Sequence, residues 1–260
     1  EQKVAFETAR VIANKKEKSV VIIKGGPGTG KSVISVNLIS ILLSDGLNSI
    51  FVAPNASFRN SIVKMLTQDH PTQRIKNIFK GSAGFYDAQE NEFDVLVVDE
   101  AHRLKNKSAF RYKGANQVDD VIKSALTSIF FIDDNQIVRP DDIGSVSELR
   151  KISEQYDAKV YELELNAQFR CSGAEGFINW LDDVLQIKET ANYDGWDKKS
   201  FDFRILDNPN KLRSLIKEKN NNGEKSRMLA GYAWEWTSVA NGNADADVED
   251  VILPEHDFRM

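Results

Sequence analysis

Residues with the chemistry to hold phosphate stand close together near the start of this sequence. From position 25 the chain reads Gly-Gly-Pro-Gly-Thr-Gly-Lys-Ser, which matches the pattern G-x-x-x-x-G-K-[ST] at every specified position. Glycines without a Cβ let successive backbone N–H groups turn toward a phosphate chain, and a helix that follows points its positive end at the same anion. The side chain of Lys31 adds a charge for the β and γ phosphates, and the Ser32 hydroxyl is a ligand for Mg²⁺. The residues predicted to bind a nucleoside triphosphate here are Gly25, Gly26, Pro27, Gly28, Thr29, Gly30, Lys31 and Ser32.

Two acids follow an apolar segment further along the chain, at the start of the sequence Asp99-Glu100-Ala101-His102. A continuous apolar run is typical of a strand that is buried on both faces of a parallel sheet. Loops at the carboxyl ends of such strands lie together, so these acids are expected to face the phosphate-binding loop. We predict that Asp99 holds Mg²⁺ through water and that Glu100 takes a proton from the attacking water as general base.

Two polar side chains follow later predicted strands. Gln136 comes after the apolar run at 128–132, where an amide can donate to the γ phosphate or orient water. Arg170 follows the strand predicted at 159–165, and an arginine in that place can reach a transferring phosphoryl group from within the same chain; an ordinary surface arginine is the alternative. The predicted catalytic residues are Lys31, Glu100, Gln136 and Arg170.

The hydrophobic pattern predicts the elements that position these side chains. Helical periodicity over 2–14, 33–42, 146–155 and 174–186 alternates with β-rich runs at 19–24, 48–53, 94–98, 128–132 and 159–165. This alternation predicts an α/β fold with a mostly parallel sheet flanked by helices. A polar break at 189–200 is a candidate linker, followed by a strand at 201–206, a helix at 209–219 and a strand at 227–231.

Composition excludes several classes of protein. The chain has 34 Lys and Arg against 39 Asp and Glu, a net charge of −5, so it is not basic throughout, although a local basic stripe can still bind nucleic acid. A single cysteine rules out an intramolecular disulfide and, with three histidines, offers no zinc spacing, which favours a reducing, cytoplasmic location. No apolar run approaches the ~20 residues of a membrane span. The first residue is not Met, so we expect a piece of a longer protein.

Two basic segments are candidates for contact with single-stranded DNA or RNA. Residues 54–80 have an excess of Lys and Arg, and residues 103–113 contain five cations, no acid, and the aromatic residues Phe110 and Tyr112. Bases stack on aromatic side chains where cations hold the backbone, but a solvated surface explains such runs equally well. The candidate nucleic-acid residues are Pro54, Asn55, Phe58, Lys105, Lys107 and Arg111.

Taken in order, these motifs resemble those of superfamily 1 helicases. More closely, three segments are similar to the Schlafen group 3-like DNA/RNA helicase domain: 25–32, Asp99-Glu100-Ala101-His102-Arg103-Leu104, and Leu229-Ala230-Gly231-Tyr232-Ala233-Trp234-Glu235-Trp236. The resemblance covers nearly the whole chain. It implies a RecA-like P-loop domain that holds ATP with Mg²⁺, a second RecA-like domain that closes over it, and single-stranded nucleic acid lying across both.

The resemblance also implies domain limits and one further site residue. We predict a RecA-like ATP-binding domain over 1–188, then a linker and the start of a second, incomplete RecA-like domain over 189–260. In superfamily 1 helicases a glutamine in the place of Gln2 hydrogen-bonds the edge of adenine; a surface glutamine is the alternative. The family's final motifs, a Gln-Gly-x-Glu segment and a last arginine, are not found after Trp236. We therefore expect residues 1–260 to bind ATP, to hydrolyse it slowly and to unwind nothing.

Two functions follow from these predictions. The first is an ATPase motor domain that couples hydrolysis to binding of, or movement along, single-stranded DNA or RNA. The alternative is a nucleotide-switched regulatory or antiviral scaffold that does not translocate. A nucleotide kinase is disfavoured, because Glu100 and Gln136 suit activation of water. The sequence leaves the oligomeric state open.

Overall fold

The computed structural model describes residues 1–67, 72–107, 112–167, 175–231 and 249–260. Within these ranges the chain forms two compact units, Glu1–Phe201 and Asp202–Met260. Arg111, Arg170 and the segment 232–236, which carried predictions, lie outside the described residues. The predicted domain limit at 188/189 precedes the observed division, and the assignment of a second RecA-like domain stays a prediction.

A six-stranded sheet forms the centre of the first unit, in the order β3-β2-β4-β5-β1-β6. Every neighbouring pair of strands is parallel, which confirms the predicted α/β class. The strands are β1 (Ser19–Gly25), β2 (Ser49–Val52), β3 (Phe79–Lys80), β4 (Phe93–Val98), β5 (Ala125–Ile132) and β6 (Lys159–Leu165).

Helices cover both faces of this sheet. They are α1 (Gln2–Asn14), α2 (Lys31–Ser44), α3 (Ala56–Leu66), α4 (Thr72–Ile78), α5 (Gln117–Ser124) and α6 (Val146–Gln155); a further helix, α7 (Glu175–Val184), comes after β6. Successive side chains of a strand point to opposite faces, so each central strand contributes to two cores. One core joins Val21 of β1 to Leu38 of α2; the other joins Ile22 of β1 to Val121 of α5 and Leu149 of α6. This two-sided burial is the reason the central strands read as continuous apolar runs.

Strand order places the two predicted motifs at one edge of the sheet. Strand β5 lies between β1 and β4, and neighbouring strands are about 4.8 Å apart. The phosphate-binding loop leaves the carboxyl end of β1, and Asp99 follows the carboxyl end of β4. The two motifs are therefore separated in the sheet by the width of a single strand.

Helix α1 is joined to α2 by an ion pair. Arg10 of α1 donates from Nε and Nη2 to the two carboxylate oxygens of Asp45, each at 2.7 Å. Asp45 directly follows the last residue of α2. This bidentate contact helps to hold α1, which carries Gln2, against the helix that begins at the phosphate-binding loop.

The second unit contains the helix α8 (Pro209–Asn221) and a short antiparallel ribbon of β7 (Ile252–Leu253) and β8 (Phe258–Arg259). The helix confirms the prediction at 209–219. The strands predicted at 201–206 and 227–231 are wrong, because both described segments lack strand structure. Alternating side chains form a strand only beside a partner strand, and here Ile205 and Leu229 are 88% and 90% exposed.

Across the ranges that the structure describes, none of the helices combines the length and apolar character needed to cross a bilayer.

Candidate nucleotide-binding site

The phosphate loop, residues 25–32, connects β1 to the first turn of α2. Gly28 and Gly30 have φ angles of +81° and +90°, a backbone region that side chains with a Cβ rarely occupy. A Cβ at Gly30 would also lie 2.0 Å from Nε2 of Gln2. Gly28 and Gly30 are therefore favoured by the loop conformation, which brings backbone N–H groups to the N-terminus of α2.

Lys31 lies across the loop that precedes it. Its side chain is buried, and Nζ donates to the carbonyl oxygens of Gly25 and Gly26, the latter at 2.9 Å. The ammonium group is thus held within the turn where phosphates are predicted to bind. Both acceptors are neutral carbonyls, and an ammonium ion forms stronger hydrogen bonds with an anionic phosphate.

The side chain of Gln2, at the start of α1, contacts the phosphate loop. Its Nε2 donates to the carbonyl oxygen of Thr29 at 2.7 Å. The amide group therefore supports the loop conformation in this structure. The predicted contact of Gln2 with adenine stays a prediction.

Asp99 is fully buried at the end of β4. Burial raises the pKa of its carboxyl group to about 6, opposed in part by the nearby Ser32 hydroxyl and by the N–H of Glu100, which donates to Oδ1 at 3.1 Å. The other oxygen, Oδ2, has no hydrogen-bond partner among the described residues. A buried acceptor without a partner is costly, so Oδ2 of Asp99 is an acceptor that the described residues leave unsatisfied.

The donor set at this place suits Mg²⁺. Magnesium is commonly held by one or two protein oxygens together with substrate phosphates and water. Ser32 and Asp99 provide such oxygens on the two motifs, beside the phosphate loop. No cluster of three or more His, Cys, Asp or Glu side chains suited to a metal occurs in the part of the chain that the structure describes. A metal ion at this site would therefore depend on the phosphates of a bound nucleotide.

Glu100 begins the acidic turn, residues 100–103, with a φ angle of +54° and a short 3₁₀ helix over Ala101–Arg103. Its Oε2 lies 3.0 Å from Nε2 of the buried His102 ring, although the two groups lack the alignment of a hydrogen bond. Contact with His102, followed by the charges of Lys31 and Arg103, holds the pKa of Glu100 below its usual value. The carboxylate is therefore ionised at neutral pH, as a general base must be.

Gly144 packs against the backbone of the acidic turn. A Cβ placed on Gly144 would lie 1.8 Å from the carbonyl oxygen of Ala101. The adjacent Ile143 donates its N–H to the carbonyl oxygen of Leu104 at 2.8 Å. The turn that carries Glu100 is thus packed against a backbone segment that has no room for a larger residue.

Gln136 ends the 3₁₀ turn Asp134–Gln136, which follows β5. Its Nε2 donates to Oδ2 of Asp133 at 2.8 Å. Asp133 is itself buried and also accepts from the N–H of Asn135. The amide of Gln136 is therefore fixed in orientation at the strand end where the sequence predicts it.

One cleft of about 650 Å³ brings Lys31, Glu100 and Gln136 together, while Asp99 and Gln2 are not among the residues that line it. The cleft is lined by most of the phosphate loop together with Glu100 and Gln136, and by Asn55, Phe58 and Arg103. Asn55 and Phe58 were predicted for nucleic acid, and the structure places both beside the phosphate loop. The oxygen of the Asn55 side chain accepts from the N–H of Ser57 at 3.0 Å and so begins α3.

Sequence reasoning missed Arg103 as a residue of this cleft. Glu100 directly precedes the 3₁₀ helix and Arg103 is its last residue, so a single turn separates the two. Arg103 is three residues after Glu100 and lines the same cleft. The three-residue spacing from Glu100 is visible in the sequence, but it indicates a shared cleft only when the 3₁₀ geometry of the turn is known.

The remaining nucleic-acid candidates lie in different surroundings. Lys105 forms ion pairs with Asp141, at 2.9 Å, and with Asp142, so its charge is already used within the fold. Lys107 is exposed and Pro54 is half-buried. Tyr112 is buried and its hydroxyl donates to Asp120, so it is not available for stacking with a base. Contact of these segments with nucleic acid stays a prediction.

Comparison with known proteins places the chain in a family. A sequence profile of the Schlafen group 3, DNA/RNA helicase domain matches residues 18–260. The chain belongs to this helicase domain family. Its described core is accordingly a helicase-like P-loop NTPase with a RecA-like parallel sheet.

Individual relatives of this Schlafen group 3 domain are distant. An uncharacterized protein of Saccharomyces cerevisiae is 27% identical over 259 residues, which cover 84% of this chain and 55% of the yeast protein. A UPF0273 protein of Pyrobaculum aerophilum is 27% identical over 190 residues, covering 69% of this chain and 64% of that protein. The Pif1 helicase of Candida albicans is 11% identical with a TM-score of 0.44, covering 96% of this chain and 61% of the helicase. The chain thus spans between half and two thirds of these proteins.

Proposed function

We propose that this domain binds ATP with Mg²⁺ and hydrolyses it, and that the intact protein couples hydrolysis to single-stranded DNA or RNA. The observation that carries the proposal is the shared cleft of the phosphate loop, Glu100 and Gln136. Beside it, the buried Asp99 presents an oxygen without a partner.

The phosphate loop supplies binding. Its backbone N–H groups and the N-terminus of α2 hold the phosphate chain, and Lys31 exchanges its carbonyl contacts for the β and γ phosphates. Ser32 and Asp99 hold Mg²⁺, Asp99 through water. When bound, the metal ion neutralises negative charge that develops on the phosphates. Gln2, already beside the loop, contacts the adenine edge.

The residues on the neighbouring strands supply hydrolysis. Glu100 accepts a proton from the attacking water at its carboxylate, which the lowered pKa keeps ionised. Gln136, oriented by Asp133, positions that water or donates to the γ phosphate. We assign Arg170 to the transferring phosphoryl group on the basis of its place in the family motifs.

The coupling to nucleic acid rests on family membership, since the family's description names a DNA/RNA helicase domain. Exposed cations such as Lys107 are available for phosphate contacts. Because this chain covers only part of its relatives, we expect residues 1–260 alone to turn over ATP slowly and a longer chain to respond to nucleic acid.

Release of phosphate from ATP tests this function, with and without single-stranded DNA or RNA, in residues 1–260 and in a longer chain. We expect Glu100→Gln to lower the rate by about 10²- to 10⁴-fold, since a general base contributes a factor of that size. The matched control Glu90→Gln changes an exposed carboxylate outside the cleft and leaves the rate unchanged. An unchanged rate in Glu100→Gln contradicts the assignment of the base. A longer chain that ignores nucleic acid contradicts the coupling and favours a nucleotide switch.

A further inference from the structure

Arg103 is a cation of the cleft to which none of the predicted motifs assigns a role. It closes the acidic turn, and its side chain is one third exposed. It lines the same cleft as Lys31 and Ser32. Its Nε lies 3.9 Å from the carboxylate of Glu100, the group proposed to activate the attacking water.

The described residues give the Nε of this guanidinium no hydrogen-bond acceptor. The nearest approach to the Glu100 carboxylate, from Nε to Oε2, is 3.9 Å, which is longer than a hydrogen bond. Nε is buried and has no hydrogen-bond partner within the described ranges. A buried charged donor without an acceptor is unfavourable, so the fold retains an unsatisfied cationic donor at the cleft.

Other arginines of the same unit show the contrast. Arg10 forms two hydrogen bonds to Asp45, and Arg150 forms two to Glu162, at 2.5 and 2.8 Å. These bidentate pairs give each guanidinium a planar partner. Arg103 has the same chemistry but faces the cleft instead of a paired carboxylate.

We infer that Arg103 binds the terminal phosphate of the nucleotide, a role that rests on the proposed function. Phosphate oxygens suit a planar guanidinium, and Glu100 has to remain free to accept a proton. The phosphate loop is proposed to bind the phosphates that ATP and ADP share. Arg103 lies 3.9 Å from the Glu100 carboxylate, which is proposed to activate the water that attacks the terminal phosphate. Arg103 therefore distinguishes ATP from ADP.

Isothermal titration of the full chain 1–260 with Mg²⁺ complexes of a non-hydrolysable ATP analogue and of ADP tests this role. Arg103→Ala is expected to weaken binding of the ATP analogue by about 10- to 100-fold, the size of a lost charge-assisted hydrogen bond. Binding of ADP is expected to change by less than about twofold on the same scale. Arg139→Ala is the matched control, since Arg139 is exposed and does not line the cleft; it should change neither affinity.

The result also separates this role from the proposed function. Lys31→Ala, measured beside it, should abolish binding of both nucleotides. If wild-type protein binds neither nucleotide, the proposed function and this role both fail. If wild type binds both and Arg103→Ala matches it, or loses ATP and ADP equally, only the role of Arg103 is overturned. If Arg103→Ala slows hydrolysis but leaves the ratio of ATP to ADP affinity unchanged, Arg103 acts through Glu100 alone. That result also overturns the proposed contact of Arg103 with the terminal phosphate.

A second variant keeps the test informative if Arg103→Ala fails to fold. Arg103→Lys retains the charge on a similar stem but lacks the planar fork of the guanidinium. We expect a smaller loss that is confined to the triphosphate. An unchanged ratio of ATP to ADP affinity in this variant overturns the proposed contact.

Discussion

At the scale of the residue, the site depends on two neighbouring acids in different environments. Asp99 is buried at a strand end, which raises its pKa to about 6. Glu100, the next residue, contacts His102 in the cleft and has a lowered pKa. Opposite shifts of this kind indicate different roles for a pair of carboxyl groups. One suits a metal-bound water and the other a general base.

The environment of Asp99 predicts how its substitution changes stability with pH. Its pKa is about 6 in the fold against an ordinary value of 3.8, so ionisation within the fold opposes folding above pH 6 by up to about 3 kcal/mol. Asp99→Asn should therefore stabilise the nucleotide-free and metal-free protein at pH 8. The gain should shrink as pH falls from 6 toward 4, because the carboxyl group is then protonated in the folded state and its burial no longer opposes folding.

Urea unfolding at pH 8 and pH 4 measures this difference, with Asp87→Asn as the control at an exposed carboxylate. A lower free energy of unfolding for Asp99→Asn than for wild type at pH 8 would contradict a carboxyl group whose pKa is raised by burial. An equal gain in the free energy of unfolding at pH 8 and pH 4 would contradict it as well. The same substitution is expected to reduce the stabilisation that Mg²⁺ and ATP provide to wild type.

Some of these residues could be predicted from the sequence and others could not. Lys31, Ser32 and Asp99 belong to linear motifs whose spacing is fixed by the chemistry of a phosphate chain. The surroundings of Lys105 depend on partners distant in sequence, because Asp141 and Asp142 neutralise its charge. The sequence shows which residues are charged, but not which of them form ion pairs in the fold.

At the scale of the element, the acidic turn is positioned by a neighbouring backbone. Gly144 packs directly on Ala101, and Ile143 hydrogen-bonds Leu104. Residues held at positive φ, as Glu100 is at +54°, persist when the surrounding structure fixes them. The segment that contains Ile143 and Gly144 therefore supports the conformation of Glu100.

Gly144→Ala is expected to displace this turn. Its Cβ would meet a backbone oxygen at 1.8 Å, and relief of such overpacking costs about 1–3 kcal/mol. We expect a lower free energy of unfolding in urea, together with slower release of phosphate. Gly84→Ala serves as the matched control, because a Cβ there meets nothing within 4 Å. Equal stability and equal turnover in the two variants would show that the turn does not need this support.

Strands could be predicted from the sequence where burial on both faces gives them a continuous apolar pattern. The central strands are covered on both faces, so their apolar runs located them and predicted the parallel sheet. The alternating runs at 201–206 and 227–231 carry the pattern of a strand without a partner strand beside them in the described residues. Their β-propensity alone does not order them, because cross-strand contacts provide most of the stabilisation of a sheet.

At the scale of the whole molecule, the chain consists of two compact units that divide after Phe201. The phosphate loop, Asp99, Glu100 and Gln136 all belong to the first unit. The aromatic residues that end this unit pack among themselves, with Phe177 and Phe201 stacked at 4.1 Å between ring centroids. The first unit therefore contains its own core and the complete described cleft.

A chain of residues 1–201 is accordingly expected to fold cooperatively and to bind an ATP analogue with the affinity of residues 1–260. Thermal unfolding with and without the Mg²⁺ complex of the analogue measures both properties. A loss of affinity beyond about tenfold, or 1.4 kcal/mol, would show that the second unit contributes to the site.

The central claim is that the phosphate loop and the acids of β4 serve one nucleotide. A crystal structure of residues 1–260 with a non-hydrolysable ATP analogue and Mg²⁺ tests it most directly. We predict phosphates against residues 25–32, the metal ion beside Ser32 with Asp99 behind a bound water, and the Glu100 carboxylate facing the terminal phosphate. A nucleotide bound elsewhere, or bound in the loop with Asp99 and Glu100 turned away from its phosphates, would contradict the account.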